Sequence, residues 1–499
     1  MYIQPQSVFK ILSGVPFDST YNHTILFENA SQQITYFNSK VTHTFTDFTY
    51  VRKDNIVRVP LSADTIYQCN YCMFQNVGYG NKWFFGFITD IEYVNNAVSA
   101  LSITIDNFQT WLFDVTLEKS FVEREHVSDD SVGANLEAEP VEIGHYVFND
   151  SIAYYFTNWK LIILAYPNNN NVSGIILQNI YTGCDIYTLS GDNYTATKIN
   201  ETINLLTTGN NTIVGMYVVP DEFTNNSFLV DLNTGRGNDI QGYIPQNNKL
   251  FTFPYNFLKV TNSDGKSVDF LFEEMTSTAF RIYNSYLNGG ECLAVPTTYK
   301  GAADNFYDGI GLSNFPKCSW SENSFNTWVA NGGLVDAILG VMQGLSVSDR
   351  VSATGGAENN NINAPAPFAR AFSAGRTIAQ KQFEKQNVKG SSSGNLAVNN
   401  GKCGFRAFRM SVTYENAEII DNYFTRFGYA VNRYKIPALK SRTTFNYIKT
   451  QECHVTGNAP SNAITSIENI YNTGITLWHT TDVGNYSLDN SIVRSDKNE

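Results

Sequence analysis

The feature that most limits what this chain can fold into is a long apolar, glycine-rich stretch at residues 325–402. Over residues 324–348 the only charged side chain is Asp336. The apolar residues recur at roughly helical spacing, but the opposite side is not polar enough for a helix on a soluble domain. Gly340 and Gly344 allow close helix approach in lipid, and in water each weakens a helix by about 1 kcal/mol. A segment of this length and composition is unusual inside a compact domain and usually signals function or mobility.

The second half of the stretch is amphipathic and basic. Residues 325–402 contain seven basic and four acidic side chains, whereas the chain as a whole has a net charge of −12. Apolar side chains combined with positive charge are typical of segments that meet a membrane surface. The residues that we predict to enter the membrane are Phe325, Trp328, Val329, Leu334, Val335, Ile338, Leu339, Val341, Met342, Leu345, Phe368, Phe372, Ile378 and Phe383.

The energetics of the segment indicate conditional insertion. About ten large apolar residues, at roughly −0.3 to −0.6 kcal/mol each, favour insertion by about 5 kcal/mol, and Asp336 opposes it by about 3 kcal/mol. Several copies side by side could shelter the carboxylate around a wet lumen. The alternative is a helical hairpin packed on the protein's own core. A glycine-serine run at residues 390–394 is predicted to close the segment flexibly.

Composition favours a mainly β protein for the rest of the chain. Hydrophobic residues make up 42%, aromatic residues 14% and charged residues only 16%, which argues against disorder. The aromatic residues are mostly Phe and Tyr, which suit pleated surfaces. The negative charge makes the protein a poor candidate for wrapping nucleic acid, although it suits a surface along which DNA slides without sticking.

The pattern along the chain predicts domains of short strands. Residues 83–112 read as a hairpin, because residues 101–106 alternate between apolar and polar. The charged run at residues 123–126 reads as a solvated bend, followed by an acidic loop at residues 129–142. The predicted division is an N-terminal β domain at 1–125, a middle β domain at 126–260, a C-terminal α+β domain at 261–324 and 403–499, and the segment at 325–402.

Two helices are predicted in the C-terminal part. Apolar residues recur at helical spacing over residues 414–427, and Gly428 stands where that helix would stop. Ser461 is predicted to be the N-cap of a second helix, which ends at Gly474. The alternation at residues 444–448 predicts a strand between the two helices.

Reaction centres and metal sites are not indicated. Cys69 and Cys72 form a C-x-x-C, but its surroundings read as packed structure in which thiols act as small hydrophobic residues. No spacing matches a metalloprotease, a nucleophile elbow, a phosphate loop or a dinucleotide fingerprint. A glycosidase-type carboxylate pair stays open, with residues 123–130 the first place to look. We therefore predict a structural protein with no catalytic residues, no metal and no cofactor.

At this point the chain resembles a known family, the tail knob or distal tail tube proteins of small short-tailed phages of Gram-positive bacteria, the picovirus-like podoviruses. The resemblance rests on YCMFQN at 71–76, FVEREHV at 121–127, CSWS at 318–321, YFTRFGY at 423–429 and GITLWH at 474–479. It implies tail-tube-like β-barrel domains that form a hexameric tube in the virion tail, through which double-stranded DNA leaves.

The resemblance also implies a role for the apolar segment and a set of partners. In the family, a long hydrophobic loop from each subunit plugs the tube and then helps to form a channel through the host cytoplasmic membrane; here that loop would be residues 325–402. The implied partners are six copies of the chain, an upper tail tube or lower collar protein and a tail-tip protein, with assembly in the host cytoplasm. Two alternatives stay open: a receptor-binding, adhesin-like tail component whose apolar segment is oligomer core, and a cell-wall hydrolase.

Overall fold

The computed structural model describes residues 7–46, 55–156, 158–167, 176–177, 180–181, 185–193, 195–208, 211–222, 227–262, 265–284, 292–311, 317–322, 387–393 and 404–492. The chain forms two compact units. The first unit comprises residues 1–142, 245–250 and 415–499, and the second comprises residues 143–244 and 251–414. The four-part division predicted from the sequence stays a prediction.

Strands dominate both units. From the N-terminus to residue 125 the elements are β1 (Ser7–Ser13), β2 (His23–Ile25), α1 (Ala30–Ser39), β3 (Val41–Thr46), β4 (Ile56–Val59), α2 (Ala63–Ile66), β5 (Cys69–Asn76), β6 (Phe84–Asn95), β7 (Val98–Ile105), α3 (Asn107–Trp111), β8 (Val115–Leu117) and β9 (Ser120–Glu125). In the second unit they are β10 (Tyr146–Tyr155), β11 (Trp159–Pro167), β12 (Ile176–Leu177), β13 (Ile180–Tyr181), β14 (Asp185–Ser190), α4 (Ala196–Thr208), β15 (Asn211–Pro220), β16 (Ser227–Asp231), β17 (Asn256–Asn262), β18 (Ser267–Phe270), β19 (Ala279–Asn284), β20 (Cys292–Tyr299), β21 (Ala302–Asp304), β22 (Ile310–Gly311), β23 (Lys317–Glu322), β24 (Asn387–Ser393) and β25 (Gly404–Val412). The remaining elements are α5 (Tyr414–Phe427), β26 (Tyr429–Lys435), β27 (Phe445–Glu452), β28 (Val455–Gly457), α6 (Ser461–Thr473) and β29 (Ile475–Trp478).

The first unit is built on a six-stranded sheet that forms a half barrel, with strand order β3-β1-β5-β6-β7-β4. The predicted hairpin is confirmed as β6 and β7, which pair antiparallel around the turn after Asn95. Both faces of the sheet are covered. The side chains of Tyr71 and Phe85 belong to one hydrophobic core cluster, and those of Cys72 and Leu101 belong to a second one. The interpretation of the C-x-x-C thiols as packed hydrophobic residues is confirmed, because both lie buried in that second cluster.

One glycine is required by this curved sheet. A Cβ on Gly86 would lie 2.8 Å from the Ile103 side chain and 3.1 Å from the carbonyl oxygen of Thr104. Real Cβ atoms do not approach other atoms so closely, so any larger residue would push β6 away from β7.

The second sheet of this unit joins strands from both ends of the chain, in the order β2-β29-β27-β9-β26. Helix α6 covers one face through Ile467, Ile470 and Tyr471. On the other face Phe445 and Trp478 belong to the same cluster as the aromatic residues of the half barrel. The C-terminal strands are therefore part of the core of the first unit.

The predicted helices are confirmed, with one correction. Helix α5 spans the predicted residues, and α6 ends at Gly474, whose φ is +98°. The N-cap assignment is wrong by one residue: Pro460 is the cap, and Ser461 is the first helical residue. The carbonyl oxygen of Pro460 accepts hydrogen bonds from Ala463 and Ile464, as an N-cap carbonyl does, and no side chain caps the helix.

The second unit holds three larger sheets. Their strand orders are β10-β25-β17-β18, then β14-β11-β15-β23-β24, then β16-β19-β20-β21 with β22 paired to β20. Helix α4 packs on β11 through Leu206, against Leu161 and Ile163. Aromatic contacts join strands of different sheets. The ring centroids of Phe270 on β18 and Phe280 on β19 lie 5.1 Å apart. The short strands predicted in this region are confirmed.

Candidate functional site

The predicted membrane-entering residues lie outside the described residues, because the structure describes nothing between residues 322 and 387. The proposed roles of Phe325 through Phe383 therefore stay predictions. In the part of the chain that is described, the structure contains no helix with the length and apolar character needed to cross a bilayer.

The two strands that bound this segment are described, and they are hydrogen-bonded to each other. β23 pairs antiparallel with β24 from Lys317 opposite Ser393 to Glu322 opposite Asn387. We call this pair the neck. Opposite residues on antiparallel strands have Cα atoms about 4.5–5.5 Å apart. The segment at residues 323–386 therefore leaves and re-enters the second unit at one place, at the end of a two-stranded ladder.

The neck is itself anchored in a larger sheet. β23 pairs with β15 over Gly215–Ser319, Met216–Cys318 and Tyr217–Lys317, and β15 pairs with β11. β24 is the edge strand. The glycine-serine run at residues 390–394 was predicted to be flexible, and this is wrong for its first four residues, which lie in β24. Backbone hydrogen bonds to β23 outweigh the low strand propensity of Gly and Ser here.

The first unit contains buried charge that the sequence did not indicate. Three carboxylates, Asp130, Glu139 and Asp421, lie within it, and we call them the carboxylate cluster. The side chain of Glu139 is fully buried and forms ion pairs with Arg124 and with Lys249, whose side chains are 6% and 3% exposed. Glu139 also accepts a hydrogen bond from the backbone N–H of Ala430 at 2.9 Å.

The other two carboxylates hold the backbone of residues 245–250. Asp421 accepts hydrogen bonds from the N–H groups of Gln246 and Asn247, at 2.8 and 3.0 Å. Asp130 accepts one from the N–H of Asn248 at 3.2 Å and another from the hydroxyl of Tyr429. Burial raises the pKa of Asp130. The cluster therefore fixes the short peptide that enters the first unit between two passages through the second.

His126 supports the same region in its neutral form. Its Nδ1 accepts a hydrogen bond from the N–H of Tyr447, and its Nε2 lies 3.0 Å from the carbonyl oxygen of Thr425. These partners require a proton on Nε2 and none on Nδ1. Burial lowers the pKa of His126 to about 3, so the imidazole stays uncharged at neutral pH.

The interpretation of residues 123–126 as a solvated bend is wrong. Residues 123–125 form the end of β9 and His126 follows it directly, and Arg124, Glu125 and His126 are all buried. The strand is central in its sheet and pairs with both β26 and β27. Partners of its charges lie more than 300 residues away, as in the Arg124 hydrogen bond to the Gly428 carbonyl oxygen and the Glu123 ion pair with Lys449. A local pattern of charge could not reveal partners so distant in sequence.

Comparisons with known proteins agree on one class. The family described as the C-terminal domain of the tail knob protein gp9 of Bacillus phage phi29 matches residues 219–491. The family described as the caudoviral major tail protein N-terminus matches residues 5–116. Gp9 of phage phi29 is 26% identical, with 97% of this chain and 98% of that protein covered, and gp9 of Bacillus phage B103 is 25% identical over the same shares.

A solved structure shows the same fold. The bacteriophage C1 tail knob protein, gp12, superposes with a TM-score of 0.60 at 16% identity, covering 98% of this chain and 100% of that one. A mainly β chain with these matches is a structural protein of a phage tail. The chain belongs to the tail knob protein family of phi29-like phages, as the sequence motifs predicted; it is a component of the virion tail and not an enzyme.

Proposed function

We propose that six copies of this tail knob protein form the distal conduit for DNA ejection. In this proposal residues 325–402 of each copy close the lumen and then enter the host cytoplasmic membrane to form a channel. An upper tail tube or lower collar protein and a tail-tip protein lie at the two ends. Double-stranded DNA passes without sequence-specific contact, which the net charge of −12 favours because like charge repels phosphate.

The observation that carries the proposal is the neck. A segment that moves from protein to lipid needs an exit that leaves the fold of its own domain intact. The antiparallel pairing of Glu322 with Asn387 provides such an exit, because the two strands that flank residues 323–386 are hydrogen-bonded to each other. Movement of the segment then leaves intact the strand pairings described for the second unit.

Conditional insertion is supported by the composition of the segment. One copy gains about 5 kcal/mol from its apolar residues and loses about 3 kcal/mol at Asp336, so alone it inserts weakly. Basic side chains in the second half favour an anionic membrane, with about 1 kcal/mol for each Lys or Arg near the surface. These magnitudes support a segment that inserts weakly as a single copy and strongly when several copies act together.

The neck also defines the experiment. Replacement of residues 323–386 by Asn-Gly would close β23 and β24 as a two-residue hairpin, the turn that suits such a ladder. Dye release from vesicles of phosphatidylglycerol and phosphatidylethanolamine would be compared for the intact and shortened proteins. We expect dye release by the intact protein only. Circular dichroism should show that both proteins keep their β structure.

Point variants make the test independent of the deletion. Leu339→Lys places a charge among the apolar residues and should abolish release, because a central Lys costs about 3 kcal/mol. Asn331→Lys adds the same charge at a polar position of the same segment and serves as the matched control. Release that the deletion leaves unchanged would refute the membrane role.

Assembly is tested separately by electron microscopy of the intact protein. Six-fold rings or tubes are expected, and a compact monomer would contradict the conduit. If rings form only when residues 323–386 are present and no vesicles leak, the alternative holds: a receptor-binding tail component whose apolar segment is oligomer core.

A further inference from the structure

A polar groove on the first unit carries a second inference, one that does not depend on the membrane segment. The groove has a volume of about 380 Å³. It lies between the turn before β2 and one face of α6, and it is lined by Thr20, Tyr21, Asn462, Thr465, Ser466, Asn469, Ile470 and Thr473. Small-molecule sites occupy roughly 300–1,000 Å³, so the groove has room for a ligand of one or two rings.

The helix face that lines the groove is unusual for a surface helix. It carries short hydroxyl and amide side chains and no charge, although exposed helix faces are ordinarily rich in Lys and Glu. Asn, Thr and Ser are also poorer helix formers than Lys or Glu, so this composition costs helix stability.

Most of these side chains have hydrogen-bonding capacity to spare. The side chains of Asn462, Thr465, Ser466 and Asn469 make no hydrogen bond to any other residue in the described part of the chain. They supply both donors and acceptors, and their few rotatable bonds make them cheap to order on binding.

Tyr21, on the opposite side of the groove, is held rigidly. Its hydroxyl donates a hydrogen bond to the buried Asp106 at 3.1 Å, and its ring meets Phe87 edge to face at 5.6 Å. Its φ is +54°, a conformation that a bulky residue adopts only when its surroundings impose it. The turn that imposes it is fixed by Asp18, which accepts the N–H of Thr20 and of Tyr21 through its side chain and its carbonyl oxygen.

The lining residues select a class of ligand. The lining has no cation for a phosphate or sulfate, and it has no carboxylate, thiol or imidazole for a metal ion. Its one aliphatic residue, Ile470, is buried, so an apolar peptide would find little to cover. Protein interfaces are enriched in Arg, Met and large aromatic residues, and apart from Tyr21 the groove has none. Neutral hydroxyl and amide groups beside a fixed aromatic ring suit a polyhydroxylated ring.

We propose that this groove binds a neutral sugar unit of a carbohydrate. The ring of Tyr21 forms the floor, and the amides of Asn462 and Asn469 with the hydroxyls of Thr465 and Ser466 bind the sugar hydroxyls. Asp106 is a positioning residue, because it acts through the hydroxyl of Tyr21.

The test uses the full-length protein and four probes: glucose, galactose, N-acetylglucosamine and N-acetylgalactosamine. Saturation transfer from protein to sugar would be measured by NMR over a millimolar titration. We expect transfer to at least one probe. Asn469→Ala, which removes an exposed amide, should weaken that binding at least tenfold.

A matched pair of variants separates the groove from the general surface. Thr473 lines the groove and donates its hydroxyl to the carbonyl oxygen of Asn469. Thr35 on α1 makes the equivalent bond to Ser31 and does not line the groove. Thr473→Lys should weaken binding at least tenfold, and Thr35→Lys should leave it unchanged; unchanged circular dichroism would show that both fold.

Three results would overturn the proposal. The first is no transfer to any of the four sugars. The second is transfer that survives both Asn469→Ala and Thr473→Lys, which would put the sugar elsewhere. The third is a change in sedimentation coefficient caused by Thr473→Lys but not by Thr35→Lys, which would make the groove an interface between protein chains.

Discussion

The carboxylate cluster makes a sharp prediction about stability. The side chain of Glu139 is fully buried between two cations, Arg124 and Lys249, whose side chains are almost fully buried as well. Glu139→Gln removes the negative charge but keeps an oxygen that can accept the hydrogen bond from Ala430. The variant therefore removes the charge at nearly constant side-chain volume, and its amide nitrogen takes the place of the oxygen that faces Arg124.

The size of the effect follows from what each cation does next. Burial already lowers the pKa of Lys249, so without Glu139 this side chain can lose its proton. Arg124 cannot lose its proton, and it keeps the Gly428 carbonyl oxygen at 2.6 Å and the face of the Tyr423 ring at 4.8 Å. Removing one partner of a buried pair costs about 3–5 kcal/mol. Because Arg124 keeps its contacts with the Gly428 carbonyl oxygen and the Tyr423 ring, we expect a loss at the lower end, about 3 kcal/mol. That is a large share of the roughly 5–15 kcal/mol that stabilises a typical domain.

The loss of stability in Glu139→Gln should depend on pH. In the variant, Lys249 has a lower pKa in the folded protein than in the unfolded chain. Between those two values the unfolded chain binds more protons, so stability rises with pH. The deficit of Glu139→Gln relative to the wild type should therefore shrink as the pH is raised from neutral towards the unfolded pKa of Lys, about 10.4.

The assay is urea unfolding combined with hydrogen exchange measured by mass spectrometry. Exchange should accelerate in residues 245–250 and in β26, and β11 in the second unit serves as the internal reference. Glu123→Gln is the matched control, because Glu123 lies on the same strand as Arg124 and pairs with Lys449 at a site about one-third exposed. Such pairs contribute about 0–1 kcal/mol. Equal losses in the two variants, or equal acceleration in β11, would refute the role of the cluster.

Three further predictions concern other residues. Asp336→Asn removes a charge that opposes insertion by about 3 kcal/mol and leaves the smaller cost of a neutral amide, so the variant should release vesicle dye at a lower protein concentration than the wild type; equal concentrations would contradict this. Burial lowers the pKa of His126 to about 3 from 6.5. The unfolded chain therefore binds one more proton between these values, and stability falls by about 1.4 kcal/mol per pH unit as the pH drops through that window. Urea unfolding measured between pH 6.5 and about 3 should therefore show a smaller loss of stability per pH unit for His126→Gln than for the wild type. Gly428→Ala should cost at least about 3 kcal/mol in calorimetry, because φ is +63° and a Cβ would lie 2.2 Å from the Glu125 carbonyl oxygen; a loss below 1 kcal/mol would contradict the close contact.

The elements predicted correctly are those whose signal is local. The β6–β7 hairpin is visible because apolar and polar residues alternate on both sides of a turn. Helices α5 and α6 are visible because their apolar residues fall on one face and a glycine follows each. For α6 the error of one residue at Ser461 arose because the helix begins directly after Pro460 without a side-chain cap, so the preference for serine at the N-cap position was misleading.

The carboxylate cluster could not be predicted because its signal is not local. Asp130 and Glu139 lie in a loop whose acidic composition is typical of solvent exposure. Their partners, Lys249 and Tyr429, come from segments more than 100 residues away. Only the tertiary fold brings these charges together, and isolated charges in a sequence are far more often exposed than buried. The groove beside Tyr21 was missed for a similar reason, since α6 was read only for its apolar face.

The energetics of the segment at residues 325–402 constrain how it can be held before ejection. One copy favours insertion by about 2 kcal/mol, which is only about a thirtyfold preference. In the proposed hexamer six coupled copies would favour it by about 12 kcal/mol, which is effectively irreversible. Restraint therefore need supply only about 2 kcal/mol for each copy, as much as burying one large apolar side chain. A restraint that small can be released by modest changes at the tail tip, provided that all copies are released together.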